Sequence, residues 1–157
     1  MVQAEQNIRH TSRLIALRFA QTGQGLTEFA LMLPVLLLIL LGALDLGRVY
    51  NAYVAITNAS REGARYGMTH PTQTDAIKTQ TQQEAAASGI SIQSADISIQ
   101  CFRYSDNSSV ACDAASHGDK IEVRVEFDFQ FMTLYLFSLP TVPISNATIM
   151  VILGGAA

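Results

Sequence analysis

Hydrophobic positions in this chain gather into one dense block and then thin out into alternating runs. Phe29 to Leu44 reads Phe-Ala-Leu-Met-Leu-Pro-Val-Leu-Leu-Leu-Ile-Leu-Leu-Gly-Ala-Leu, without a charge. Extended back to Leu26 and on past Asp45, a helix over this block reaches the roughly 20 residues that cross a bilayer core about 30 Å thick. The helical pattern then continues to about Tyr66, with Pro34 as its only proline and Gly42, Gly47 and Gly63 isolated. One helix of that extent is roughly 60 Å long, about twice the membrane core. Its second half therefore either projects from the membrane or packs on a folded domain. Pro34 has no amide to donate and is expected to kink or locally open the helix.

His70-Pro71 ends this pattern. Thr72 to Ala87 is rich in Gln, Thr and Ala, begins beside Pro71 and stops at Gly89, which predicts a short second helix. Its apolar face is weak, so it is expected on the surface. Ile97, Ile99 and Cys101 alternate with polar residues. Ile121, Val123, Val125, Phe127, Phe129 and Phe131 then alternate with Lys120, Glu122, Arg124, Glu126, Asp128 and Gln130, the cleanest period-two run in the chain. Both read as strands with one buried face, and His117-Gly118-Asp119 supplies the turn into the second. Phe131 to Leu139 is apolar but too short to span a bilayer. It reads as a helical turn near the bilayer surface or as a cover for the sheet, broken by Pro140 and Pro143. Ile144 to Leu153 alternates imperfectly through Ala147, Ile149 and Val151 and reads as a last strand. Asn146 and Thr148 count against a second span there. The expected fold class is α+β: a long N-terminal transmembrane helix, then a small domain with a short helix and an antiparallel sheet. The expected division is a basic leader at 1–23, the long helix at 24–67 and the α+β domain at 68–157.

Charge adds direction to this layout. The 157 residues hold 10 Lys and Arg against 13 Asp and Glu, a net charge of -3, and such a balance argues against nucleic-acid binding. Arg9, Arg13 and Arg18 precede the apolar run with only Glu5 opposing them. The positive-inside rule then keeps the N-terminus cytoplasmic and exports everything after about Tyr50. A cleaved secretory signal would have a shorter apolar stretch followed at once by a small-x-small site. Here Asp45 to Tyr50 continues the helix, and a retained anchor is the preferred reading. Cys101 and Cys112 flank a polar loop, and a pair in an exported domain is readily oxidised; two free buried thiols are the alternative.

The outer half of the long helix carries Ala55, Ala59, Gly63 and Gly67 at four-residue intervals. This stripe slants by about 40° per step and permits close backbone approach. Its partner is either the protein's own sheet or another subunit's helix. Arg61, Glu62 and Arg65 lie close together on the helix surface, with Glu62 and Arg65 three apart. They read as a solvated cluster, or as charges that dock the helix onto the exported domain or a partner subunit. Asp45 and Arg48 form a second pair at the outer membrane boundary and read as an interfacial marker.

The border between leader and apolar block reads Gly23-Gln24-Gly25-Leu26-Thr27-Glu28-Phe29. A carboxylate beside a bilayer core costs a few kcal/mol unless partnered. Glu28 is either a helix N-terminal acid favoured by the helix dipole or the partner of a cation. The arrangement resembles that of type IV pilin-like proteins, in which a leader is cut after a glycine and a glutamate pairs with a neighbour's freed amine. It resembles the small Flp pilins in particular, with Phe29 at the position of their tyrosine. Cutting between Gly23 and Gln24 makes Glu28 the fifth residue, whereas cutting after Gly25 makes it third and loses the usual spacing.

Glu28-Phe29-Ala30-Leu31, Leu33-Pro34-Val35-Leu36, Leu46-Gly47-Arg48 and Asn58-Ala59-Ser60-Arg61-Glu62-Gly63-Ala64-Arg65-Tyr66-Gly67 together resemble the TadE-like family of tight-adherence (Tad) pilus systems. The resemblance covers Gly23 to Gly67, and the domain beyond has only a compatible layout. It implies a minor pilin or pseudopilin processed by a prepilin peptidase and partnered by other pilin subunits and the membrane. Gly23 and Gln24 would flank the cut, with Glu28, Phe29 and Pro34 serving assembly.

No enzyme signature stands beside this. His10, His70 and His117 are scattered, and Cys101 and Cys112 lack zinc-site spacing. There is no nucleophile elbow and no phosphate loop. Asp106, Asp113 and Asp119 match no EF-hand loop, while Asn107-Ser108-Ser109 and Asn146-Ala147-Thr148 are chance-level glycosylation sequons. The chain reads as non-catalytic, with no metal, cofactor or small-molecule substrate. The rival readings are a permanently anchored extracytoplasmic binding domain, never processed or assembled, and an anchored enzyme using the loop between the cysteines.

Overall fold

The computed structural model describes residues 2–133 and 141–154, with side chains from Gly23 onward. Helix α1 covers Val2–Gly67 and α2 covers Thr74–Ala87. A short 3-10 turn at Ser94–Asp96 leads into strands β1 (Ile97–Phe102), β2 (Ser109–Val110), β3 (Lys120–Phe129) and β4 (Val142–Val151). The chain divides into two compact units, Met1–Ala43 and Leu44–Ala157.

In the first unit α1 runs across Pro34 without a break. Its apolar side chains, among them Leu26, Phe29, Leu31, Met32 and Ile39, are exposed. The part of the helix whose side chains are described, Gly23–Gly67, is long and apolar enough to cross a membrane. Leu134 to Leu139 of the short apolar patch, together with Pro140, fall outside the described residues.

The second unit is a four-stranded antiparallel sheet in the order β2-β1-β3-β4, covered on one face by the rest of α1 and by α2. Ile97 pairs with Val125 and Cys101 with Ile121 across β1 and β3; Val123 pairs with Thr148 and Phe129 with Val142 across β3 and β4. Period-two alternation sets which way β3 faces: Ile121, Val123, Val125 and Phe129 are buried, whereas Arg124, Glu126 and Asp128 are exposed. Ile56, Ile77, Ile121, Val123, Val125 and Ile152 are fully enclosed. At about 1.5–3 kcal/mol for each such side chain, the core outweighs the Cys101–Cys112 disulfide. That bond closes an 11-residue separation and is worth about 3 kcal/mol on a chain-entropy basis.

One expectation is corrected by this packing, and β4 adds a finding of its own. α2 does not merely lie on the surface: Ile77, Thr81 and Ala85, one turn apart, are completely buried. Such a narrow stripe suffices because the facing positions on α1 are glycines. In β4, the alternation through Ala147, Ile149 and Val151 marks the outer face, and these three are exposed. The inner face carries Ile144, Asn146, Thr148 and Met150. Ser60 Oγ on α1 lies 2.8 Å from Asn146 Oδ1 and 2.9 Å from Thr148 Oγ1, so inward polar groups are satisfied across the helix–sheet interface. Pro143 is accommodated because β4 is an edge strand, where a missing amide disrupts no ladder.

Candidate functional site

The face of α1 that meets the sheet is built from small residues. Ala52, Ala55, Ala59, Ser60 and Ala64 are buried with Ile56 among them. A Cβ at Gly63 would collide with Thr81 Oγ1 and press on Val123 Cγ1 at 3.2 Å. One at Gly67 would lie 2.7 Å from Ile121 Cδ1 and 3.1 Å from Ile77 Cδ1. The stripe at Ala55, Ala59, Gly63 and Gly67 is therefore occupied by the protein's own sheet and by α2. At the far end of the helix, Leu153 and Gly154 donate their amides to Met68 O at 2.8 and 3.0 Å, closing the end of β4 onto the turn after α1.

Asp45 fixes the other end. Although it follows the apolar block, it is only 2% exposed. Its Oδ1 accepts the Met132 amide at 2.9 Å and Arg48 Nη1 at 3.1 Å; its Oδ2 accepts the Thr133 amide at 2.9 Å and the Thr133 hydroxyl at 2.7 Å. Arg48 also donates to Gln130 O at 3.4 Å and lies 5.1 Å from the centre of the Phe129 ring. The pair expected to be an interfacial marker is thus a clamp between α1 and the end of β3. Sequence reasoning missed it, although the cost of a carboxylate beside an apolar block, weighed for Glu28, applies equally to Asp45.

The opposite face of α1 is open. Leu46, Tyr50, Tyr53, Val54, Arg61 and Arg65 are exposed at helical spacing. Glu62 holds Arg65 through two hydrogen bonds, Nε to Oε2 at 2.8 Å and Nη2 to Oε1 at 2.5 Å. The Arg61, Glu62 and Arg65 cluster therefore does not seat the helix on its own sheet; that seat is the alanine–glycine face.

In the first unit Gly23, Gln24, Glu28, Phe29 and Pro34 are all exposed. Gln24 Nε2 donates to Glu28 Oε1 at 3.3 Å, which places residues 24 and 28 on one face a turn apart. A Cβ at Gly23 or Gly25 would meet nothing within 4 Å among the described residues. Packing there does not explain either glycine.

The end of the sheet away from Asp45 holds the disulfide and the loops around it. Cys101 and Cys112 are bonded, with Cα atoms 5.2 Å apart. Asp119 accepts the Ser116 amide on Oδ2 at 2.9 Å and the Tyr104 amide on Oδ1 at 3.0 Å. These two bonds, Ser116 first, hold its carboxyl below the usual carboxylate range. Asp106 is lowered chiefly by the Ser108 hydroxyl. Among the described residues no group of three or more His, Cys, Asp or Glu side chains converges as a metal site. The sequon residue Asn146 is engaged with Ser60.

From Gly23 on, α1 is first exposed and apolar and then seated on an antiparallel sheet, which defines an α+β protein with a candidate membrane span. Residues 23–65 match the family described as TadE-like protein. Neither a curated protein nor a solved structure matches the chain.

Proposed function

We propose that this chain is a non-catalytic, membrane-anchored minor pilin or pseudopilin that takes part in assembling a Tad-type pilus. The observation that carries this reading is the coincidence of family and architecture. The matched residues 23–65 include both the exposed apolar stretch and nearly all of the alanine–glycine seat for the sheet. The anchor and the domain mount are thus consecutive parts of one helix. The N-terminus is cytoplasmic and the sheet unit exported, as the basic leader argues. A prepilin peptidase cuts between Gly23 and Gln24, and Glu28 then neutralises the freed amine of a neighbouring subunit. The open α1 face bearing Tyr50, Tyr53, Arg61 and Arg65 is left for other pilin subunits.

Glu28→Ala tests this role in the native host. The variant should reach the membrane at the normal level while pilus assembly is lost. Normal pili from cells in which Glu28→Ala is the only copy would overturn the proposed pairing and favour a permanently anchored binding domain.

A further inference from the structure

The chain enters the folded unit at Leu44, straight from the apolar block, and the next residue is the buried clamp. Through Asp45, the Met132 and Thr133 amides lie one side chain away from that entry point. At the same end of the sheet apolar side chains stand exposed: Leu44 is 53% exposed, Met132 54% and Val142 43%. Leu46 and Tyr50, on the outward face of α1 a short way past Leu44, are open as well. Arg48 adds a half-exposed cation over Phe129, at the rim of a shallow cavity that it forms with Gln130, Phe131 and Met132. Exposed apolar side chains, a cation with an apolar stem and a tyrosine, all close to Leu44, are the composition of a bilayer interface.

We infer that this corner of the sheet rests on the phospholipid surface, with Met132 and Val142 in the interfacial layer and Arg48 among the headgroup phosphates. The inference rests on the membrane-anchor reading above. It adds a second contact with the lipid, made by the folded unit itself. Asp45 then serves to hold Met132 and Thr133 beside the residue at which the chain leaves the apolar block. A bilayer fits better than a protein partner because the chain runs from this corner, at Leu44, straight into the uncharged apolar block Phe29–Leu44.

The sequence contains no tryptophan, so single introduced tryptophans report depth without background. The full chain, reconstituted in phosphatidylcholine–phosphatidylglycerol vesicles with or without brominated acyl chains, is compared for four variants. Leu37→Trp marks the apolar helix, and Ser108→Trp marks the β1–β2 loop at the other end of the sheet. Met132→Trp and Val142→Trp, two positions on separate segments, report the corner. The inference predicts that Leu37→Trp, Met132→Trp and Val142→Trp lose most of their emission to brominated lipid while Ser108→Trp keeps its own. Quenching of Leu37→Trp alone would overturn the surface contact and leave the anchor standing. Leu37→Trp emission unchanged by bromine would overturn both.

Discussion

The carboxylate of Asp45 binds Thr133 twice, through the amide at 2.9 Å and through the hydroxyl at 2.7 Å, across 88 positions of sequence. With the Met132 amide and Arg48 added, both of its oxygens are occupied. Removing the carboxylate strands several donors at once, whereas removing the Thr133 hydroxyl strands none.

Thermal unfolding of the full chain in micelles should therefore rank the variants. Asp45→Ala should melt lowest and Thr133→Val nearest to wild type. Asp45→Asn should fall between them, because an amide offers one acceptor oxygen where the carboxylate offers two. An Asp45→Ala protein that melts no lower than Thr133→Val would contradict the clamp.

Gly63→Ala sets helix propensity against packing. An exposed alanine would gain up to about 1 kcal/mol over glycine in a helix. Here the added methyl meets Thr81 Oγ1, which is itself held by Ile77 O at 2.8 Å. Overpacking of this kind costs about 1–3 kcal/mol, so Gly63→Ala should be net destabilising in a urea titration. Thr81→Ala clears the space, and the double variant should be more stable than the sum of the single effects allows. Strict additivity would mean that the two residues do not touch.

Asp119 supplies an acid-dependent contribution. Its folded carboxyl is held below its unfolded value by the Ser116 and Tyr104 amides, so the unfolded chain binds more protons as the pH falls. The stabilisation is complete above the ordinary aspartate value of about 3.9 and is lost as the pH falls below it through the folded value. Between neutral pH and about pH 3, wild type should lose more melting temperature than Asp119→Asn, with Asp106 contributing to the slope that remains. Equal losses in the two proteins would remove Asp119 from the acid response.

How much of this was legible in the sequence depended on whether pattern or partner decided the outcome. The run from Lys120 to Phe129 announced both a strand and its buried face, because one face of β3 is almost purely apolar and the other charged. The same logic misleads in β4, where Ala147, Ile149 and Val151 face outward and Asn146 and Thr148 face in. Ser60, a residue distant in sequence, satisfies those inward groups, and no local pattern discloses that. The glycine and alanine spacing on α1 was visible, but its occupant was not, since own-sheet and neighbour packing demand the same small residues. α2 was underestimated because its burial depends on Gly63 and Gly67 rather than on its own apolarity. Asp45 and Arg48 were visible as a pair, whereas the Met132 and Thr133 amides that define their role are backbone groups and leave no trace in side-chain identity.

The intact mass of the protein from its native membranes, with and without the prepilin peptidase, tests the central claim most directly. The account predicts a peptidase-dependent loss of residues 1–23, leaving Gln24 first and Glu28 fifth. A loss that ends at Gly25 would keep processing but break the proposed pairing of Glu28 with a neighbouring amine. An unshortened chain in both samples would contradict the pilin-like assignment and leave a permanent membrane anchor.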